Sequence, residues 1–159
     1  MKTLTIKQPW ASLIALGEKK IETRSWRTKY RGPLLIHAGK TIDKEAFYRE
    51  TIKSTLAKYG ILELEDLPTG CIIAKANLSD VYRVEKVDHE NKYAYMMNKE
   101  GYIFTLAQGK EYDFGGYIAE PGKYRYGWKL KDVKPINPIY CKGQLNLWNY
   151  EGDNFESSH

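Results

Sequence analysis

Lys19, Glu22 and Arg24 fall in one short run, Glu18-Lys19-Lys20-Ile21-Glu22-Thr23-Arg24, which brings two cations and a carboxylate together. Cations of this kind donate to a phosphate or a carbonyl, while a carboxylate accepts a proton or orients an amine. The later part of the run alternates polar and apolar residues as a strand does. On such a strand Glu22 and Arg24 share a face, because side chains alternate with period two. Lys19 stands at the corner where a helix gives way to that strand, so its side chain is expected to be solvated and mobile. Lys19→Ala is then expected to cost no more than about 0.5 kcal/mol, as an ordinary surface change does. The competing reading of the triplet is a structural ion-pair cluster that fixes the corner.

A second constellation joins rings to cations. Trp10, Trp26, Tyr30, Tyr117, Tyr124, Tyr126 and Trp128 are interleaved with Arg24, Arg27, Lys29, Arg31, Lys123 and Arg125. Rings stack on bases and cations hold phosphates, so this mixture suits single-stranded or flipped nucleotides. Trp26 and the Tyr117–Trp128 region are read as exposed rings, Trp10 and Trp148 as packing. Ordinary packing of the whole set competes with the binding reading.

Other chemistries find less in the chain. No His/Cys/Asp cluster has metal-ligand spacing, so no metal site is expected. No phosphate-binding glycine loop, nucleophile elbow or Ser/His/Asp set is present, and no cofactor is expected. His37 has a reference pKa suited to proton transfer. It lies in the apolar run Leu34-Leu35-Ile36-His37-Ala38, which favours a satisfied core residue. His89 and His159 sit in polar context without ligand-like neighbours.

The elements that must position these residues follow from pattern and punctuation. Leu4–Ile6 reads as a strand, residues 9–16 as a helix ended by Gly17, and residues 20–26 as the next strand. Leu34–Ala38 is another strand. Asp43 caps a helix reaching Tyr59, with Tyr48, Ile52, Leu56 and Tyr59 on its core face. Cys71–Val87 is a long strand with a bulge or bend near Asn77–Ser79. A short helix at 90–99 and a strand at 101–106 are expected. The glycine- and tyrosine-rich stretch 109–123 reads as a functional loop. Tyr126–Val133 and Gly143–Trp148 are the last strands, with Pro135 and Pro138 marking an extended link between them.

The 159 residues suit one domain, and 42% hydrophobic content suffices for its core. Thirteen tyrosines against four phenylalanines give many rings with one wet end. A formal charge of +5 favours acidic partners such as nucleic acid, although 20 acidic residues accompany the 25 basic ones. Cys71 and Cys141, far apart and outside any CxxC pair, read as reduced thiols. With no signal peptide and no apolar run of spanning length, a cytoplasmic protein with no membrane association is expected.

The pattern Gly17-x-Lys19-x-x-Glu22-x-Arg24, preceded by Gln8-Pro9-Trp10-Ala11-Ser12 and followed by Tyr30-Arg31-Gly32, resembles the signature of the ASCH domain family. That family lies within the PUA-like superfamily of small nucleic-acid-associated barrels. Leu67–Ala74, Phe114-Gly115-Gly116-Tyr117, Pro121–Tyr124, Gly127-Trp128 and Lys142–Trp148 are similar to further family segments, so the resemblance spans residues 3 to 150. It implies an α+β fold, a PUA-like mixed β-barrel of five to six strands with helices packed outside. Residues 1–150 would form the domain and 151–159 a flexible polar tail. A charged cleft beside the first helix is also implied.

Members of that family bind RNA or DNA, act as ribonucleases, or, in a small bacterial member, hydrolyse N4-acylated cytidine. The hydrolase pairs its lysine with a threonine three positions on. Here Glu22 occupies that position, and Thr23 points to the opposite face of a regular strand. The expected function is RNA or nucleotide binding in a basic, aromatic-edged cleft. Its expected lining is Lys19, Glu22, Arg24, Trp26, Arg31, Tyr117, Tyr124, Tyr126 and Trp128. The partner would be RNA, another single-stranded nucleic acid or a nucleoside-like ligand. The alternatives are a metal-independent hydrolase using Lys19 and Glu22 as catalytic groups, and a protein-interaction adaptor.

Overall fold

The computed structural model describes residues 1–98 and 103–152. In chain order its elements are β1 (Lys2–Gln8), α1 (Trp10–Ala15), β2 (Ile21–Arg24), β3 (Gly32–Ile42), α2 (Lys44–Phe47), α3 (Glu50–Ala57) and a 3-10 turn (Leu64–Asp66). They continue with β4 (Cys71–Asp88), β5 (Tyr93–Asn98), β6 (Phe104–Gln108), α4 (Lys110–Asp113), β7 (Tyr126–Tyr140) and β8 (Leu147–Asn149). Strand neighbours run β2-β7-β4-β3-β1-β8, with β5 on β4 and β6 on β5. The α+β class expected from the sequence holds. The described residues form eight strands, more than the five or six anticipated. The chain falls into two compact units, one holding residues 1–18, 33–77 and 132 onward, the other 19–32 and 78–131.

In the first unit β1 runs parallel to β3, from Thr3↔Leu35 to Gln8↔Ile42, and antiparallel to β8, where Thr3 faces Trp148. The helix α1 is buried from Ala11 through Ala15, as a helix without a polar face must be. Gly17 stops it at φ 80°, with Gly17 N–H donating to Ile14 and Glu18 N–H to Leu13. That pair of bonds is the Schellman ending a glycine permits. Asp43 caps the next helix as expected, its Oδ1 accepting from Ala46 N–H at 3.0 Å. The expected single helix from Asp43 to Tyr59 is two, α2 and α3, because Arg49 is extended at ψ 137°. Phe47, Ile52 and Leu56 are buried, whereas Tyr48 and Tyr59 stand out at 57% and 45% exposure. Leu35, Ile72 and Ile136 form a local core.

In the second unit β2 is antiparallel to β7, pairing Glu22 with Trp128 and Arg24 with Tyr126. β4 pairs antiparallel with β5, and β5 with β6. Residues 93–98 are thus strand, not the helix expected over 90–99. Their burial alternates, with Ala94, Met96 and Asn98 inward and Tyr93, Tyr95 and Met97 outward, which is the period of a half-buried strand. The next strand starts at Phe104; residues 101 and 102 of the expected segment lie outside the described residues. Against β5, the register of β4 shifts between Val84 and Lys86. Ile21, Tyr82, Ala94, Met96, Ala107, Tyr112 and Tyr117 make the core of this unit.

Candidate functional site

The Lys19 corner is packed, not solvated. Lys19 is 1% exposed, and its ammonium donates to the carbonyls of Ile21, at 2.7 Å, and Phe114. Glu22 Oε1 stands 3.7 Å from the same nitrogen, and Glu22 Oε2 accepts from Arg24 at 3.0 Å. An ammonium has three donors, and here they face two carbonyls and a carboxylate. Burial pulls the Lys19 pKa down, opposed by Glu22 and Glu111. The Glu111 carboxylate accepts from the backbone of Lys20 and Ile21 at 2.8 and 3.3 Å, and burial pushes its pKa up against the pull of Lys19. The expectation of a mobile, exposed cation is therefore corrected. The segment that covers the corner comes from α4 and Phe114, far along the chain, where local spacing carries no trace of it.

Two of the rings read as exposed are core. Trp128 is fully buried, its indole N–H donating to the Trp26 carbonyl at 3.1 Å and its ring edge-on to Trp26 at 4.7 Å. Tyr117 is 2% exposed, stacked on Tyr112 at 5.7 Å, and its hydroxyl donates to the Glu111 carbonyl. Burial pushes that phenol far above its ordinary range. Tyr117 belongs to the core that holds Met96 and Ile21, and Trp128 packs on Trp26, so the polar ends of both rings are satisfied inside the protein.

This unit has an open cavity of about 550 Å³ lined by Arg27, Thr28, Lys29, Arg31, Val81, Arg83 and Tyr126. Four cations meet there. The Arg27 guanidinium lies 5.7 Å from the centre of the Tyr126 ring. Arg31 braces the 27–31 loop, donating to the carbonyls of Thr28 and Tyr30 at 2.8 and 2.9 Å and pairing with Asp80 at 3.4 Å. Arg83 pairs with Glu85 at 2.9 Å and covers the Tyr124 ring at 4.5 Å, while Tyr124 remains 53% exposed.

Of the residues singled out from the sequence, the cavity gathers Arg31 and Tyr126, with Tyr124 reached through Arg83. Lys19, Glu22, Arg24, Tyr117, Trp26 and Trp128 form the packed ground around β2 and β7. Arg27 and Lys29 belong to the basic run visible in the sequence but lie outside the expected lining. Arg83 was missed. Its signal was its period-two spacing from Val81 on β4, which lines the same cavity. Among the described residues no group of three or more His, Cys, Asp or Glu side chains converges as metal ligands would. No helix among them is long and apolar enough to cross a membrane.

A profile of the ASCH domain matches residues 4–139. The chain belongs to the ASCH domain family. This ASCH chain is 36% identical over 83 residues to Activating signal cointegrator 1 of Homo sapiens and 36% identical over 84 residues to its counterpart in Mus musculus. Each match takes in 48% of this chain and 14% of the relative, so the ASCH chain spans a small part of the length of those proteins. Among solved structures, the crystal structure of ASCH from Zymomonas mobilis aligns with TM-score 0.48 and 15% identity, over 87% of this chain and 72% of that one. A tyrosine-to-phenylalanine mutant of the same protein aligns with TM-score 0.44 and 16% identity, over 87% and 74%.

Proposed function

We propose that this ASCH chain binds single-stranded RNA in the basic cavity of its second unit. The observation that carries the reading is the convergence of Arg27, Lys29, Arg31 and Arg83 on one open cavity that also presents Tyr126. A cavity of this size matches a ligand of nucleotide dimensions. The cations hold phosphate oxygens and the Tyr126 ring takes a base, with Arg83 and Tyr124 extending the contact. Lys19, Glu22, Arg24, Trp26, Tyr117 and Trp128 serve this site by fixing β2 against β7. The hydrolase alternative asks Lys19 to take up a proton. An ammonium held by two carbonyls and a carboxylate is a weak candidate for that step, which favours binding over turnover.

The test is anisotropy of a labelled oligouridine titrated with the protein across a salt series. Three to four phosphate contacts give a log–log slope of about −2 to −3. Arg27→Ala and Lys29→Ala should each weaken binding and flatten the slope. Absence of binding at low salt, or an affinity indifferent to salt, would sink the reading.

A further inference from the structure

The outward face of β5 and β6 is a second surface with nucleotide chemistry. Strand register lines up Arg83, Met97 and Phe104 in one row across three strands, and Lys86, Tyr95 and Leu106 in the next. Paired residues point to the same side, and burial confirms which side this is. Ala94, Met96 and Ala107 are fully buried beneath, whereas Phe104 and Leu106 are each 48% exposed. The rings of Tyr95 and Phe104 lie 5.0 Å apart and 18° from parallel, already stacked on the diagonal between the rows. Half-exposed rings on a sheet are uncommon without a purpose, because apolar surface left in water forgoes the stabilisation of burial.

Charge indicates the occupant. Both rows begin with a cation, Arg83 and Lys86. Of the acidic neighbours on β4, Glu85 pairs with Arg83 at 2.9 Å, and Asp88 is engaged by the backbone N–H and side-chain amide of Asn91, each at 2.9 Å. Arg83 also lines the basic cavity, so cavity and face share one residue. We infer that the β5–β6 face is a stacking platform that receives the bases of the same RNA strand after it leaves the cavity. The inference rests on the RNA-binding reading and extends it. A phosphate held at Arg83 sets the next base over Phe104 and Tyr95, where any base stacks because every base has a π-face. The platform therefore adds affinity with strand length and little sequence preference.

The experiment compares two ligands and substitutions at two positions. A uridine dinucleotide fills the cavity alone, and an oligouridine of about eight nucleotides, within the site size of a single-strand binder, reaches the platform. Phe104→Leu and Tyr95→Leu keep apolar bulk but remove the π-face. Each should weaken the longer ligand roughly 5- to 150-fold and leave the dinucleotide unchanged. Phe104→Tyr should bind both as the wild type does. Equal binding of the longer ligand by wild type and both leucine variants overturns the platform and leaves the cavity standing. Failure of the wild type to bind either ligand overturns both. A wild type that sediments as a dimer, made monomeric by Phe104→Glu, would assign the face to a second copy and overturn the inference.

Discussion

Lys19 and Phe114, 95 residues apart in the chain, are joined by a hydrogen bond from the buried ammonium to the main-chain carbonyl. This contact ties the 110–117 segment to the edge of β2, which Glu111 seals from the other side. Lys19→Met removes the donor, strands two carbonyls in a dry corner and leaves Glu22 paired with Arg24 alone. Breaking a buried pair this way costs about 3–5 kcal/mol. Urea denaturation should show that loss, with RNA affinity of the folded fraction nearly unchanged. A variant as stable as the wild type would return the corner to solvent.

Cation number should be readable from salt dependence. Arg27→Ala and Lys29→Ala each remove one phosphate contact, and each should lower the log–log slope by about 0.7. Arg31→Ala should do more harm than either, because Arg31 also holds the Thr28 and Tyr30 carbonyls. Its melting temperature should fall where theirs do not. Matching slopes in all four proteins would show that the cavity does not carry the ligand.

His37 makes the first unit sensitive to acid. Its Nε2 donates to the Cys141 carbonyl at 2.9 Å, and its Nδ1 accepts from the Thr5 hydroxyl at 3.2 Å. Burial holds its pKa below the usual 6.5, with the Cys141 bond opposing. Below 6.5 the unfolded chain takes up a proton that the folded chain resists, so stability is complete above that value and lost as pH falls through it toward the folded pKa. Melts at about pH 7.5 and about pH 5.5, either side of the imidazole range, should separate for the wild type. The separation should shrink in His37→Asn. An equal separation would place the acid sensitivity elsewhere.

Trp148→Ala should be costly, at about 3–5 kcal/mol. The ring is 7% exposed, and its indole N–H donates to Thr5 Oγ1 at 3.0 Å, so the change opens a cavity and removes a donor. A calorimetric melt reads the loss directly, and a shift within error would contradict the packing.

Gly127→Ala tests how tightly β7 sits on the second core. A Cβ at Gly127 would stand 2.6 Å from Met96 Sδ and 3.0 Å from Ile21 Cγ2, both on buried side chains. Overpacking of this order costs about 1–3 kcal/mol. Denaturation should register it; an unchanged midpoint would mean that Met96 moves aside freely.

What the sequence disclosed was local. Gly17 as a helix stop, Asp43 as a cap and His37 as a satisfied core residue each depend on neighbours within a few positions or on an apolar run, and each is found. Lys19, Tyr117 and Trp128 were misjudged for one shared reason: their surroundings come from distant segments. A lysine at a turn looks wet until Phe114 arrives to cover it. The site followed the same rule. Arg27, Lys29 and Arg31 were visible as a run, whereas Arg83 joins them only because β4 crosses the 27–31 loop. The strand at 93–98 escaped because its outward positions hold Tyr and Met rather than polar residues, which blurs the alternation.

The pairing of β1 with both β3 and β8 sets a timetable for synthesis. On the ribosome β1 emerges ahead of β3 and can pair with it once residue 42 is clear. Its other edge stays bare until residues 147–149 appear, roughly 100 residues later. At the usual pace of translation that is roughly 5–20 s. Through that interval the nascent chain carries an unpaired edge beside Leu4 and Ile6, the kind of edge that recruits strands from other chains. A slow codon between β7 and β8 would lengthen the exposure.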